Sequence, residues 1–326
     1  MSVSLCDYTE RMPTAIKSSR MRRQAGKPLP PPKRAAKIES PWSLQTVRGV
    51  QILELARFNE FSWLVHGFST RKGGSSVTNS GERVLNLGFT DWDSREAVRK
   101  NRRQFQSALG ADHFTLVPLK QFHSAMIRCF QTSPAEPCKG DASLTNTPGL
   151  LVGVQTADCV PILLVDPKKR AIAAIHAGWR GTLARIAEKT VGQLHMRFGC
   201  RPSDLLAAVG PSIGACCYEV GTELVTRFAS QFAEAEEWFD ELRTGDEPNP
   251  LQWLNMVPPG HQPPPKSVRL DLRRANRAQL LATGLAQKNI YVSDLCTACH
   301  TDLLFSYRKE TDLSGRLLSA IGVRGW

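Results

Sequence analysis

Histidine is scarce in this chain, seven among 326 residues, and no two of them stand in an H-x-H pair. Multicopper oxidation assembles its clusters from paired, His-rich motifs, so copper oxidation ranks behind other enzyme readings. No histidine opens an H-x-E, which excludes the base-flipping zinc deaminases, with their H-x-E and P-C-x-x-C, as the source of any deamination. No stretch approaches the ~18–20 continuous apolar residues of a membrane span. The first residues lack the apolar core of a secretory signal. Together these absences predict a soluble, cytoplasmic protein without a membrane partner. No internal repeat is visible, which sets solenoids and propellers aside.

What is present divides unevenly. Nine cysteines are too many to ignore, but the number is odd and the chain is not small. Reduced thiols are expected, some of them reserved for metal or catalysis. The formal charge is +12. Residues 1–50 hold ten Lys/Arg and three Asp/Glu, a net +7, leaving 12 − 7 = +5 for the other 276. Basicity is therefore largely a property of the leader. Residues 1–45, with KPLPPPKR and little apolar periodicity, read as a disordered basic leader, and residues 46–326 as one catalytic domain. Such a leader could touch nucleic acid or an anionic envelope surface as a non-enzymatic binding module, or serve as an organelle transit peptide; solvation is the simpler reading. Residues 244–266 carry seven prolines and read as an inserted loop.

The folded part is expected to begin near Leu53. Ser62–Ser69 reads as a strand, and Asp93 with Glu96 as a capping box opening a helix through Leu109. Leu151–Gln155, Ile162–Asp166 and Ala171–Ile175 are apolar strand runs. A helix follows HAGWRG with apolar positions at Leu183, Ile186, Val191, Leu194 and Phe198. A short strand is expected at Leu205–Val209, a helix from Thr222 towards Phe239, another over Leu270–Leu281, and strands at Ile290–Ser293 and Leu317–Val323. Strands and helices alternate irregularly, which predicts an α+β fold rather than a doubly wound sheet.

Three residues stand out chemically: His123 in KQFHS, Cys159 in TADCVP and His176 in HAGWRG. Each sits in a small-residue turn beside an apolar run, where a side chain leaves the core while the backbone stays rigid. Two imidazoles and a thiolate suit zinc, and three protein ligands leave a coordination position open. Asp158 could orient one of them. His66, His113, His195, His261 and His300 lack such surroundings and are read as ordinary polar residues. Arg71 in STRKGG, Arg180 at a helix start and Arg308 closing SYR are cations placed to take an anion such as phosphate.

HGFSTRKGG, NLGF, QFHS, TADCVPILLVD, HAGWRG, GPSIGACCYEVG, CTACH and LLFSYR occur in that order. Together, from about Leu64 to Val323, they resemble the YfiH/laccase-domain family, also called the polyphenol oxidoreductase or purine nucleoside phosphorylase family. The resemblance implies an α+β fold with mixed β-sheets packed between helices. It implies zinc held by His123, Cys159 and His176, with copper as the alternative ion. It implies phosphorolysis of adenosine, inosine and methylthioadenosine, and adenosine deamination, so purine nucleosides and phosphate are the expected partners. The family's usual NQVHG is KQFHS here, with Lys120 and Phe122 as the departures.

Zinc lowers the pKa of bound water to about neutrality, which suits hydroxide attack on purine C6. Phosphorolysis instead asks for electrostatic stabilisation of a departing purine. The family's older name keeps a copper polyphenol oxidase as an alternative, and an older proposal resting on the vicinal cysteines keeps a cysteine hydrolase-like enzyme. Cys216 and Cys217 invite a nucleophile reading, but packed small residues are preferred and no catalytic role is assigned. Cys296–His300 matches a haem-attachment pattern, which belongs mostly to exported proteins. A second zinc site stays open as an alternative, with one Cys-x-x-Cys pair in view.

Overall fold

The computed structural model describes residues 41–241 and 267–325; the expected leader, apart from Pro41–Gln45, and the expected insert lie outside them. Two six-stranded mixed sheets dominate. The first runs, in spatial order, Trp42–Val47, Val50–Leu55, Leu64–Ser69, Leu317–Val323, Leu150–Thr156 and Thr115–Val117. The second runs Ile290–Val292, Leu206–Val209, Val160–Asp166, Ala171–Ala177, Ala142–Thr145 and Ile127–Cys129.

Side-chain alternation explains the layering. In Val160–Asp166, Val160, Ile162 and Leu164 face the helices Ile186–Phe198 and Leu272–Ala282, while Leu163 and Val165 face the first sheet. Both faces of the strand are buried, which is why its sequence is continuously apolar rather than alternating. Val152, Val154 and Ile321 of the first sheet meet Leu163, Ile172 and Ala208 of the second in a shared core. On the outer face of the first sheet, Ile52, Val65 and Leu151 pack on Phe105 of the helix Arg95–Ala108. The order of layers is helix, sheet, sheet, helices, as the α+β expectation requires. Each fully buried Leu, Ile or Phe in these cores contributes roughly 1.5–3 kcal/mol.

Several local readings change. Folded structure starts earlier than Leu53: Trp42–Val47 pairs antiparallel with Val50–Leu55, turned by Arg48 and Gly49 at φ 50° and 80°. That strand is a half-exposed edge with little apolar signal. The helix at residue 95 is capped by Ser94, whose side chain accepts from the Ala97 N–H; Asp93 instead accepts from Ser76 and Asn86. The helix after HAGWRG is two helices, Trp179–Leu183 and Ile186–Phe198, broken at Arg185 with φ 60°. The helix expected from Thr222 stops at Ala229, because Phe228, Phe232 and Trp238 fold back on one another, with ring centroids 5.0–6.1 Å apart. Tertiary packing overrides a permissive helical sequence there. No described helix is long and apolar enough to cross a membrane.

Candidate active site

Strand register brings two of the three predicted ligands together. Pro161 pairs with His176 and Val160 with Ala177, so Cys159 lies one residue before its strand, beside Gly178. The alternation that points Ile172 and Ala174 between the sheets carries His176 to the same side, at the strand's end. His123 arrives from a turn at φ 61° after Leu119–Lys120. The ligand atoms of His123, Cys159 and His176 all lie within 4.8 Å of one another. The two imidazoles meet edge to face, 4.9 Å between centroids. Gly178 is demanded by space: a Cβ there would sit 2.9 Å from Cys159 Sγ and 3.1 Å from His123 Cδ2.

A residue the sequence reading missed organises this group. Asp141, fully buried before Ala142–Thr145, receives Nδ1 of His176 on Oδ1 at 2.8 Å. The same oxygen accepts from the His123 N–H at 3.0 Å, and Oδ2 accepts from the Ser124 N–H and hydroxyl at 2.7 and 2.6 Å. One carboxylate therefore shapes the His123 turn and fixes the His176 ring, leaving Nε2 for the centre. Burial alone would raise the Asp141 pKa, but the hydrogen bonds from His176 and Ser124 hold it at about 2. Burial would likewise raise the Cys159 thiol, yet the His176 charge and hydrogen bonds from both histidines bring it down to about 6. Burial would lower His176, and the Cys159 and Asp141 charges lift it instead to about 9. An ionised sulfur between two imidazoles, one backed by a carboxylate, is a donor set that fits a divalent cation, which would take the place of the His176 proton.

Asp158 does not serve as the orienting residue expected of it. Its φ is 90°, and its side chain accepts from the Thr297 hydroxyl at 2.6 Å and the Arg308 N–H at 2.7 Å. It ties two distant segments to the turn that presents Cys159.

His123, Cys159 and His176 open into a cleft of about 660 Å³, a size suited to a small organic ligand. Its walls include Trp179, Tyr218 and Tyr307, and its cations are Arg180, Arg308 and Arg316. Among the described residues none of these three guanidinium groups pairs with a carboxylate. Arg180 lies over Trp179, Arg308 over Tyr218 and Arg316 over Tyr307. Burial and the nearby Cys159 charge push the Tyr218 phenol up, so it stays protonated as a donor. A hollow of about 760 Å³ near Gly192 and His195 gathers no comparable chemistry.

Arg71 is not brought to this cleft. Its guanidinium is buried, donates to Thr301 O and Glu310 Oε1 at 2.7 Å each, and lies over Phe305. Arg180 is at the cleft, and Arg308 and Arg316 join it.

A sequence profile described as multi-copper polyphenol oxidoreductase laccase matches residues 65–324. The chain belongs to that family. A purine nucleoside phosphorylase YlmD of Geobacillus stearothermophilus is 35% identical over 81% of this chain and 92% of its own length. A purine nucleoside phosphorylase of Deinococcus radiodurans is 36% identical over 79% and 88%. An adenosine deaminase, RL5, from an unknown prokaryotic organism is 34% identical over 79% and 93%. The solved structure of Bacillus licheniformis YfiH superposes with a TM-score of 0.73 at 27% identity, covering 86% of this chain and 99% of that one.

The two departures in KQFHS, Lys120 and Phe122, alternate with the residues of that segment that line the cleft, Leu119, Gln121 and His123. Lys120 and Phe122 are exposed, Phe122 by 47%. The residue between them does the anchoring: Gln121 donates to Gln155 O at 2.7 Å and accepts from the Gln155 N–H at 2.8 Å. His300 is exposed and turns Nδ1 to Cys296 O at 3.0 Å, away from the three ligands.

Proposed function

We propose that this chain is a zinc-dependent purine nucleoside phosphorylase acting on adenosine, inosine and methylthioadenosine, with adenosine deaminase activity. The observation that carries the reading is the convergence of a His–Cys–His donor set, three cations without acidic partners and three aromatic walls in one cleft. The curated relatives' printed activities support it.

When bound by His123, Cys159 and His176, zinc supplies a Lewis acid able to lower the pKa of water to about neutrality. The chain's own residues do the rest. Asp141 holds His176 in one tautomer and keeps its ring from turning. Trp179 and the tyrosines offer flat faces for a purine. Arg180, Arg308 and Arg316 carry the charge to hold phosphate against ribose C1′. In phosphorolysis a phosphate oxygen bonds to C1′ as the C1′–N9 bond breaks, and its electron pair leaves with the purine. The Tyr218 phenol, kept protonated, is a donor within the same cleft for that departing charge. Arg71 acts one step back: by pairing Glu310, whose other oxygen accepts from the Ser306 N–H, it steadies the segment bearing Arg308.

Copper remains the alternative ion, and the family's name the reason to test it. Among the described residues the donor groupings are this one and an all-cysteine one, neither of them a His-rich copper cluster. Eight cysteines among the described residues are free thiols, which supports a reducing, cytoplasmic setting.

The experiment is adenosine with and without phosphate, with and without chelator, following adenine and inosine. Cys159→Ala should lose both products. Arg316→Ala should raise the phosphate KM about tenfold, the scale of one lost charge-assisted hydrogen bond. Full activity in Cys159→Ala, or oxygen uptake on a phenol in place of nucleoside turnover, refutes the proposal.

A further inference from the structure

GPSIGACCYEVG and CTACH, some 80 residues apart in the chain, meet beside the cleft. Ser212 and Cys296 form a parallel bridge, and the sulfurs of Cys216, Cys217, Cys296 and Cys299 all lie within 4.8 Å of one another. Cys299 Sγ is 3.5 Å from Cys216 Sγ and 3.4 Å from Cys217 Sγ. From this geometry we infer that the four cysteines form a second metal site, a tetrathiolate holding one zinc ion that braces the cleft wall.

Distance favours this over other uses of cysteine. A zinc ion about 2.3 Å from four tetrahedral sulfurs sets them about 3.8 Å apart, and the Cys299 sulfur lies 3.5 and 3.4 Å from those of Cys216 and Cys217, a few tenths of an ångström inside that value. A disulfide needs its sulfurs at about 2.05 Å; here Cys299 stands at nearly equal distance from two sulfurs, as a corner of a tetrahedron does. Outer thiolates around a polynuclear iron–sulfur core stand further apart than these. The expectation that Cys216 and Cys217 are merely packed small residues fits only half of the pair: Cys217 packs on Ile213, but Cys216 is exposed.

The surroundings suit thiolates. The Gly214 N–H donates to Cys296 Sγ at 3.2 Å, and Cys296 and Cys299 sit three residues apart within one tight turn. Gly214 keeps space open beside the sulfurs, since a Cβ there would stand 3.2 Å from Cys216 Sγ. It would also stand 2.6 Å from Arg273 Nη2, so a guanidinium lies alongside to offset the net −2 of four thiolates and one Zn²⁺.

The site's consequence is mechanical. Tyr218 follows Cys217 directly and lines the cleft, and Thr297 follows Cys296 and donates to Asp158, the neighbour of Cys159. A metal that clamps the two segments holds both features in place without touching substrate.

The test uses full-length protein and Zn²⁺ or Co²⁺ alone as probes. Wild-type protein dialysed against zinc should retain two equivalents per chain. Cys159→Ala/His176→Ala should retain one, and that one should vanish on adding Cys296→Ser/Cys299→Ser. If the serine variant fails to fold, cobalt decides: Cys159→Ala/His176→Ala loaded with Co²⁺ should show the intense visible absorption of a cobalt tetrathiolate. Absence of that absorption, or peptide mapping of a disulfide from Cys299 to Cys216 or Cys217 in the metal-loaded protein, overturns the inference. Neither readout depends on nucleoside turnover, so failure of the proposed activity leaves the result interpretable.

Discussion

Asp141→Asn tests the candidate site most directly. The carboxylate receives the Phe122, His123 and Ser124 N–H groups, the Ser124 hydroxyl and Nδ1 of His176. An asparagine keeps one oxygen. Turned towards His123 and His176, it presents its NH₂ to the Ser124 N–H, a donor facing a donor. One orphaned buried N–H costs about 1–3 kcal/mol. Asp141 also contributes through its ionisation: a pKa held at about 2 against an ordinary 3.8 corresponds to roughly 2 kcal/mol. Because the folded value is depressed, that contribution is complete above pH 3.8 and is lost as pH falls through 2. At neutral pH the variant should therefore be less stable by about 2–4 kcal/mol, the two terms overlapping because the hydrogen bonds cause the shift. Zinc affinity should fall 10–100-fold, the usual consequence of removing a carboxylate behind a ligating histidine. Urea unfolding gives the first number, and competition with a chromogenic chelator the second. A variant that is destabilised yet binds zinc within twofold of wild type would show that Asp141 shapes only the turn, and the reasoning about His176 would be wrong.

Gly178→Ala places a methyl 2.9 Å from Cys159 Sγ; zinc affinity by the same competition should drop at least about tenfold while the far-UV spectrum is kept, the overpacking cost falling on the ligands. Arg71→Ala should lower stability by about 1–3 kcal/mol in urea unfolding, through loss of its Glu310 and Thr301 partners; a raised phosphate KM without destabilisation would instead make Arg71 a direct phosphate ligand. His66 is buried, accepts from the Leu55 N–H at 3.0 Å, and burial lowers its pKa to about 4. Its folded value lies below the unfolded 6.5, so stability present above pH 6.5 should decline by up to about 3 kcal/mol as pH falls towards 4. His66→Gln should flatten that part of the stability–pH curve; an unchanged acid limb would point to other groups.

Residues with a local reason for their position were readable from sequence. His123, Cys159 and His176 each stand in a small-residue turn beside an apolar run, and the runs themselves became the central strands. Residues whose role depends on a partner far along the chain were not. Asp141 precedes an ordinary short strand in GDASL; only the pairing of Ala142–Thr145 with Ala171–Ala177 sets its carboxylate against His176. Arg71 sits in a glycine-rich turn that reads as an anion cradle, but its partner Glu310 lies 239 residues away. Arg316, in the unremarkable SGRLL, reaches the cleft because its neighbours enter the first sheet at Leu317.

The same distinction explains why two of the three candidate ligands, Cys159 and His176, stand at strand ends. Metal sites need side chains fixed within fractions of an ångström, and strand ends supply that fixity. Pro161 opposite His176 sets the spacing of two ligands by backbone hydrogen bonding, independently of side-chain packing nearby. The third ligand comes from a loop and therefore needs a separate anchor. Asp141 and Gln121 provide it, one through three successive N–H groups and the other through a paired bond to Gln155. Substitutions in those anchors should consequently loosen His123 before they disturb Cys159 or His176, so weakening at Gln121 should cost metal affinity while leaving the pairing of Val160–Asp166 with Ala171–Ala177 in place.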